Sequence, residues 1–192
     1  MNKMYKCLIS FIVTFLVFTN LQAQTISFNT QTLGTGYTPN NSSGGISFAI
    51  QNTNPFIAVL TSLSYFSSTA VTRDYTLWYS TTSLSGLPVW PLNAPTWQPI
   101  ANAFGVNMAA GVQTLIFPSL SFNIPGGQTY RFYLTASNVQ YTGLGVGPTT
   151  GVSPVSFSNT GVNFLNAEHQ IAGLNVGYGG GNFTPRAFNG SV

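Results

Sequence analysis

After residue 24 the chain is a succession of short runs in which β-branched and aromatic residues alternate with polar ones. Clusters of Gly, Pro, Asn and Ser separate these runs, and helical periodicity is almost absent. This pattern predicts about nine to eleven strands joined by turns, at the spacing of a sandwich. We therefore expect an all-β fold, an antiparallel β-sandwich of jelly-roll or immunoglobulin-like type.

The alternation also predicts which side chains share a face of each strand. The predicted strands are 25–30, 45–51, 56–66, 74–81, 97–103, 113–117, 128–135, 155–157, 161–165, 170–176 and 183–192, and residues 119–124 lead into a turn at 125–127. The candidates for an inward face are Ile57, Val59, Leu63 and Tyr65. One face of each of three other strands is shared by Ile46, Phe48 and Ile50, by Tyr75, Leu77 and Tyr79, and by Tyr130, Phe132 and Leu134. The opposite faces carry Thr76, Trp78, Arg131 and Tyr133.

Turn-forming residues mark the predicted connections between the strands. The main loops are 34–45, a Pro-rich stretch at 86–95, a small-residue link at 107–111, a Gly-rich stretch at 141–154 and a glycine loop at 178–182. No repeat of fixed period and no internal domain boundary is visible, so we expect one domain.

The first residues have the pattern of a secretory signal peptide. Lys3 and Lys6 precede an apolar run over residues 8–18, and Ala23 supplies a small residue before Gln24. The apolar run is about a dozen residues, short of the ~20 that span a bilayer. We predict a signal peptide at 1–23 and a secreted β-sandwich domain at 24–192, extracellular or on the cell surface, with no membrane span in the mature protein. The ending Ser191-Val192, with nothing polar beyond it, suggests a truncated product or one module of a longer protein.

Removal of the leader changes the charge and thiol content. The chain has five Lys and Arg residues against two acidic ones. Two lysines leave with the leader, so three arginines against two carboxylates give a net charge of +1. Nucleic-acid binding needs several cations to neutralise phosphates, so nucleic acid is excluded as a partner. The single cysteine, Cys7, also leaves, so the mature domain has no disulfide and no thiol nucleophile.

Few groups remain that are able to carry chemistry. Asp74 and Glu168 are the only acidic side chains of the mature domain, and His169 is its only histidine. Glycoside hydrolysis needs two carboxylates at a set separation, and a Ser-His-Asp hydrolase needs a G-x-S-x-G elbow that this chain lacks. Zinc takes three or four Cys, His or carboxylate ligands, and these three residues are the only candidates in the domain. Calcium prefers negatively charged oxygen ligands, and the sequence has no acidic cluster. We predict that the protein is not an enzyme, with no catalytic residues, no metal site and no cofactor.

Aromatic residues are the remaining candidates for ligand binding. Flat rings with nearby amides suit sugar rings, whereas the alternative is that most of them fill the core. The candidates are Trp78, Trp90, Trp97, Tyr133 and Tyr141. Trp90, in its Pro-rich loop, is the first one we expect to be exposed.

Two charges are predicted to be structural. Asp74 is expected to neutralise a neighbouring arginine at the start of a strand. Arg186, beside Pro185 and the closing strand, is expected to stack on a ring or to donate to backbone carbonyls.

Several segments resemble a known family. They are GISFAI at 45–50, YTLWYST at 75–81, WQPIANAFGV at 97–106, IPGGQTYRFYLT at 124–135 and FTPRAFNGSV at 183–192. Together they resemble an uncharacterised secreted β-sandwich module of Bacteroidetes-type extracellular proteins, in which segments like IPAGQTYGFYIT and FSPRxWNGTI recur. The resemblance covers most of residues 44–192. It implies extracellular display and supplies no catalytic residue.

Two functions follow from these observations. The first is a secreted, non-catalytic structural or adhesion module of the cell surface. The alternative is a carbohydrate-binding module that uses exposed Trp and Tyr faces. The expected partners are accordingly extracellular matrix, a glycan or a neighbouring surface protein.

Overall fold

A computed structural model describes residues 25–29, 41–82, 92, 95–143, 156–165 and 186–192. These residues form antiparallel β-sheets and contain no helix, so the all-β prediction is confirmed. The strands are β1 Asn41–Asn52, β2 Ala58–Leu60, β3 Leu63–Ser67, β4 Val71–Ser80, β5 Gln98–Met108, β6 Val112–Phe117, β7 Phe122–Ile124, β8 Thr129–Gly143, β9 Ser156–Asn159, β10 Val162–Leu165, β11 Arg186–Ala187 and β12 Gly190–Ser191.

The largest sheet, called here the long sheet, has the strand order β5-β4-β8-β1-β10-β9. The 15-residue strand β8 lies near its middle and pairs with β4 on one side and β1 on the other. The short strand β11 adds to the far end of β8. Because β8 has a neighbour along both edges, its ladder hydrogen bonds fix the register of the strands beside it.

Two smaller sheets complete the described fold. The order of one is β12-β3-β6, and the other consists of β2 and β7. Asn29, near the start of the described residues, forms a bridge with Ser191 of β12.

Residues from all three sheets share one apolar core. Ile46, Phe48 and Ile50, which were predicted to share one face of β1, are buried in this core. The Phe48 ring stacks on Phe132 with centroids 5.4 Å apart and also contacts Phe188 at 4.8 Å. Such ring pairs stabilise the fold by about 0.5–1.5 kcal/mol each beyond the area they bury.

A polar contact ties the three-stranded sheet to β8. The Tyr65 hydroxyl of β3 donates to the backbone carbonyl of Gln140, 2.8 Å away. The Gln140 Oε1 atom accepts from the Ser67 hydroxyl at 3.0 Å and from the Ser68 amide at 2.7 Å. Burial, and then the nearby Tyr75, raise the pKa of Tyr65 well above its ordinary value of 10. Tyr65 therefore keeps its proton and this hydrogen bond throughout the physiological range.

The predicted strand 56–66 is in fact two strands with different inward faces. Leu63 and Tyr65 are buried as predicted. Ile57 and Val59 are 56% and 49% exposed, so their predicted inward orientation is wrong. The ladder breaks at residues 61–62, and Leu60 points inward instead. A shift of one residue at such a break moves every preceding side chain to the other face.

Three strands extend beyond their predicted ends because their neighbours continue the ladder. Strand β1 begins at Asn41, inside the predicted loop 34–45, and pairs there with Tyr141. Tyr141 therefore lies in β8 and not in the Gly-rich loop. Strand β5 continues to Met108, since a bulge opposite Asp74 lets its pairing with β4 resume.

The chain ends also differ from the prediction. The segment 183–192 contributes two short strands to different sheets, with Phe188 buried between them. In the predicted strand 25–30, the described residues 25–29 contain one bridge, between Asn29 and Ser191, in place of a strand ladder. The predicted strand 170–176 and the predicted loop 178–182 lie outside the described residues.

Candidate functional site

Three of the five predicted ligand-binding residues meet on one face of the long sheet. This outer face is the side of β4, β8 and β1 turned away from the core, because neighbouring residues on a strand point to opposite faces. Its rows of cross-strand partners are Gly45–Thr135–Thr76, Ser47–Tyr133–Trp78 and Ala49–Arg131–Ser80. The alternation predicted for β4 and β8 is thus confirmed.

Tyr133 occupies the middle of this face, directly over Gly45. A Cβ atom added at Gly45 would lie 2.5 Å from the Tyr133 Cζ atom and 2.9 Å from the backbone oxygen of Leu134. Any side chain at this position would therefore collide with the ring. The glycine leaves room for the hydroxyl end of the Tyr133 ring against the neighbouring strand.

Arg131 lies one row away and is fully buried, with an exposed fraction of 0%. Its Nη2 atom donates to the Ser47 hydroxyl at 2.9 Å, and its guanidinium carbon lies 5.8 Å from the centre of the Trp97 ring. Burial lowers the pKa of Arg131 to about 10, while Tyr133 acts in the opposite direction. The side chain is therefore still a cation at neutral pH, held by a hydroxyl and an aromatic face.

Trp97 covers the outer face from the start of β5. Its ring centre is 5.8 Å from that of Tyr133, and the two rings form a small cluster with Leu92. The indole is 2% exposed. Within the described part of the chain, its buried Nε1 atom has no hydrogen-bond partner.

Trp78 lies at the border of this cluster and remains half-buried. Its indole Nε1 atom donates to the Thr135 hydroxyl at 3.0 Å, which in turn donates to the Thr76 carbonyl at 3.3 Å. The nitrogen is thus already engaged, and only part of the ring faces solvent. Among Trp78, Trp97 and Tyr133, Trp78 is the one that keeps an accessible surface.

These positions correct the predicted ligand-binding set. Trp97 and Tyr133, the latter 0% exposed, offer no free ring face to a sugar. Both stabilise the sheet instead, because the Trp97 segment covers its outer face. Trp90 and the side chain of Tyr141 lie outside the described part of the structure, as do Glu168 and His169.

The two predicted structural charges have different outcomes. Asp74 is exposed, and its Oδ1 atom accepts a hydrogen bond of 2.7 Å from the backbone amide of Gly105. Its observed partner is therefore a backbone group of β5 and not the arginine we expected. For Arg186 the structure describes the backbone, which pairs with Gly143 of β8. The predicted contacts of its side chain lie outside the described residues.

Sequence reasoning missed a set of exposed apolar side chains. They are Phe56, Ile57, Val59, Phe104, Val112 and Leu115. Phe104 is the most exposed, at 77%, and precedes Gly105, whose φ of 59° marks the bulge in β5. A bulge reorients the side chains around it. The adjoining Phe-Gly pair was the available signal, since an isolated glycine in a strand pattern suggests a bulge.

Strand β5 is an edge of the long sheet among the described strands, and none of its eleven residues is charged. Edge strands commonly carry charges that discourage association with other chains. The edge here has Pro99 and two bulges in its pairing with β4, but no charge of its own. Phe104 therefore projects from a neutral edge.

Within the described residues, no group of three or more His, Cys, Asp or Glu side chains is placed to hold a metal ion. No helix in that part of the chain is long and apolar enough to cross a membrane. No protein-family model matches the chain, and neither the curated proteins nor the solved structures contain a significant match.

Proposed function

We propose that this protein is an exported, non-catalytic structural or adhesion module of the cell surface, built as a β-sandwich. Residues of all three sheets contribute to one apolar core, and a core filled from more than one sheet is what a sandwich requires. The signal-peptide pattern of residues 1–23 supports export. The expected partner is a neighbouring surface protein or extracellular matrix.

The observation that carries this proposal is the uncharged edge at β5 with its protruding Phe104 ring. An exposed apolar side chain on a neutral strand edge favours association with another surface. Phe56, Ile57 and Val59 add a second exposed apolar group at the two-stranded sheet. Neither group is needed to close the core, so both are available for contact.

The ionisable side chains support a non-catalytic role. Asp74 is the single carboxylate among the described residues, and it holds the β5 bulge in place. Arg131 is buried beneath the outer-face aromatic residues and has no exposed surface with which to meet a substrate. Both groups thus stabilise the sheets.

The test is export and adhesion of the protein from its full-length gene. N-terminal sequencing is expected to read Gln24 first, and antibody labelling is expected to detect the protein outside intact cells. Phe104→Ser is expected to lower cell–cell or cell–matrix adhesion several-fold. Asn107→Ser, on an exposed residue of the same strand, serves as the matched control. Retention inside the cell, or equal adhesion with and without the gene, would refute the proposal.

Carbohydrate binding is the second candidate, and Trp78 is the observation in its favour. Its ring is partly accessible, and Thr76 and Asn102 lie beside it on β4 and β5 as polar neighbours. If a polysaccharide binds there, tryptophan fluorescence should change on titration and the change should be lost in Trp78→Ala. No response across a broad panel of soluble and insoluble glycans would eliminate this candidate.

A further inference from the structure

We draw no further inference here: the strongest candidate, the uncharged edge of β5 with its exposed Phe104 ring, belongs to the proposed function already given, and nothing among the described residues shows what covers it.

Discussion

Arg131 and Phe104 belong to the same sheet and reverse the usual relation between hydropathy and burial. The arginine on β8 is 0% exposed, whereas the phenylalanine on β5 is 77% exposed. The difference lies in their neighbours. The outer face at β8 is covered by Trp97 and Leu92, while β5 is an edge among the described strands. Burial in this molecule thus depends on what covers a position as well as on the residue that occupies it.

The comparison has an energetic side. Burying a cation costs free energy unless hydrogen bonds and a polarisable neighbour offset the loss of water. The Ser47 hydroxyl and the Trp97 ring provide part of this compensation for Arg131. Phe104 gains no burial and leaves its apolar surface to water. The covered face is therefore built for stability, and the bare edge is available for contact.

Arg131→Ala should give the largest effect. It removes the Ser47 hydrogen bond and leaves a void beneath Trp97, at an expected cost of about 3 kcal/mol in the free energy of unfolding. Urea denaturation followed by circular dichroism measures it. Arg73→Ala, at a half-buried arginine that donates to the Asn138 carbonyl, is the control and should cost about 1 kcal/mol. Equal costs for the two variants would break the comparison.

Gly45→Ala should come next. The added methyl group meets the Tyr133 ring and the Leu134 carbonyl, so we expect a loss of about 2 kcal/mol. Pairing it with Tyr133→Leu in a double-mutant cycle tests the cause, because the smaller side chain vacates the space above Gly45. If the two effects simply add, the ring is not the group that requires the glycine.

The buried hydroxyl of Tyr65 should make the free energy of unfolding depend on pH. Because its folded pKa is raised, the folded state keeps a proton that the unfolded chain releases above about pH 10. Its contribution is complete below pH 10 and is lost as the pH rises beyond it, by about 1.4 kcal/mol per pH unit. Comparing unfolding of the wild type and Tyr65→Phe between pH 9 and about 11 measures this slope. Parallel curves would contradict the expected difference in proton binding.

Asp74→Ala removes the side-chain contact between β4 and the bulge of the edge strand β5. Loss of the bond to the Gly105 amide should cost about 1 kcal/mol or less, because the carboxylate is exposed. Asp74→Asn retains an acceptor and should be close to the wild type. Thermal unfolding of both variants, with hydrogen exchange at the Gly105 amide, provides the measurement. Unchanged exchange in Asp74→Ala would mean that the side chain does not hold the bulge.

Phe104→Ser should have the smallest effect on stability, within about 0.5 kcal/mol, because its ring is already in water. Chemical denaturation measures this, and the adhesion assay measures what the ring does instead. A loss as large as that of Arg131→Ala would show that the edge at β5 is covered after all.

The inward faces of the main strands were predictable from residue pattern alone. Ile46, Phe48 and Ile50 alternate with small or polar residues, and the face that carries them packs into the core. The failure at Ile57 and Val59 has a specific cause, since their residue types match an unbroken strand and nothing local marks the one-residue shift at 61–62. At the candidate site, too, some features were predictable from the sequence and others were not. The sequence separated Trp78 and Tyr133 from the alternate residues of their own strands, but it did not show that the two strands pair or that Trp97 covers part of the outer face.

The sequence by itself determined the strand content, the alternation that separates core from outer face, and the scarcity of ionisable groups, because these depend on residue type and a period of two. Tertiary structure alone decided that Arg131 is buried, that Phe104 is bare and that residues 25–29 lie along β12. Those outcomes depend on which distant strands and loops pack together, and long-range packing has no period in the sequence of any single strand.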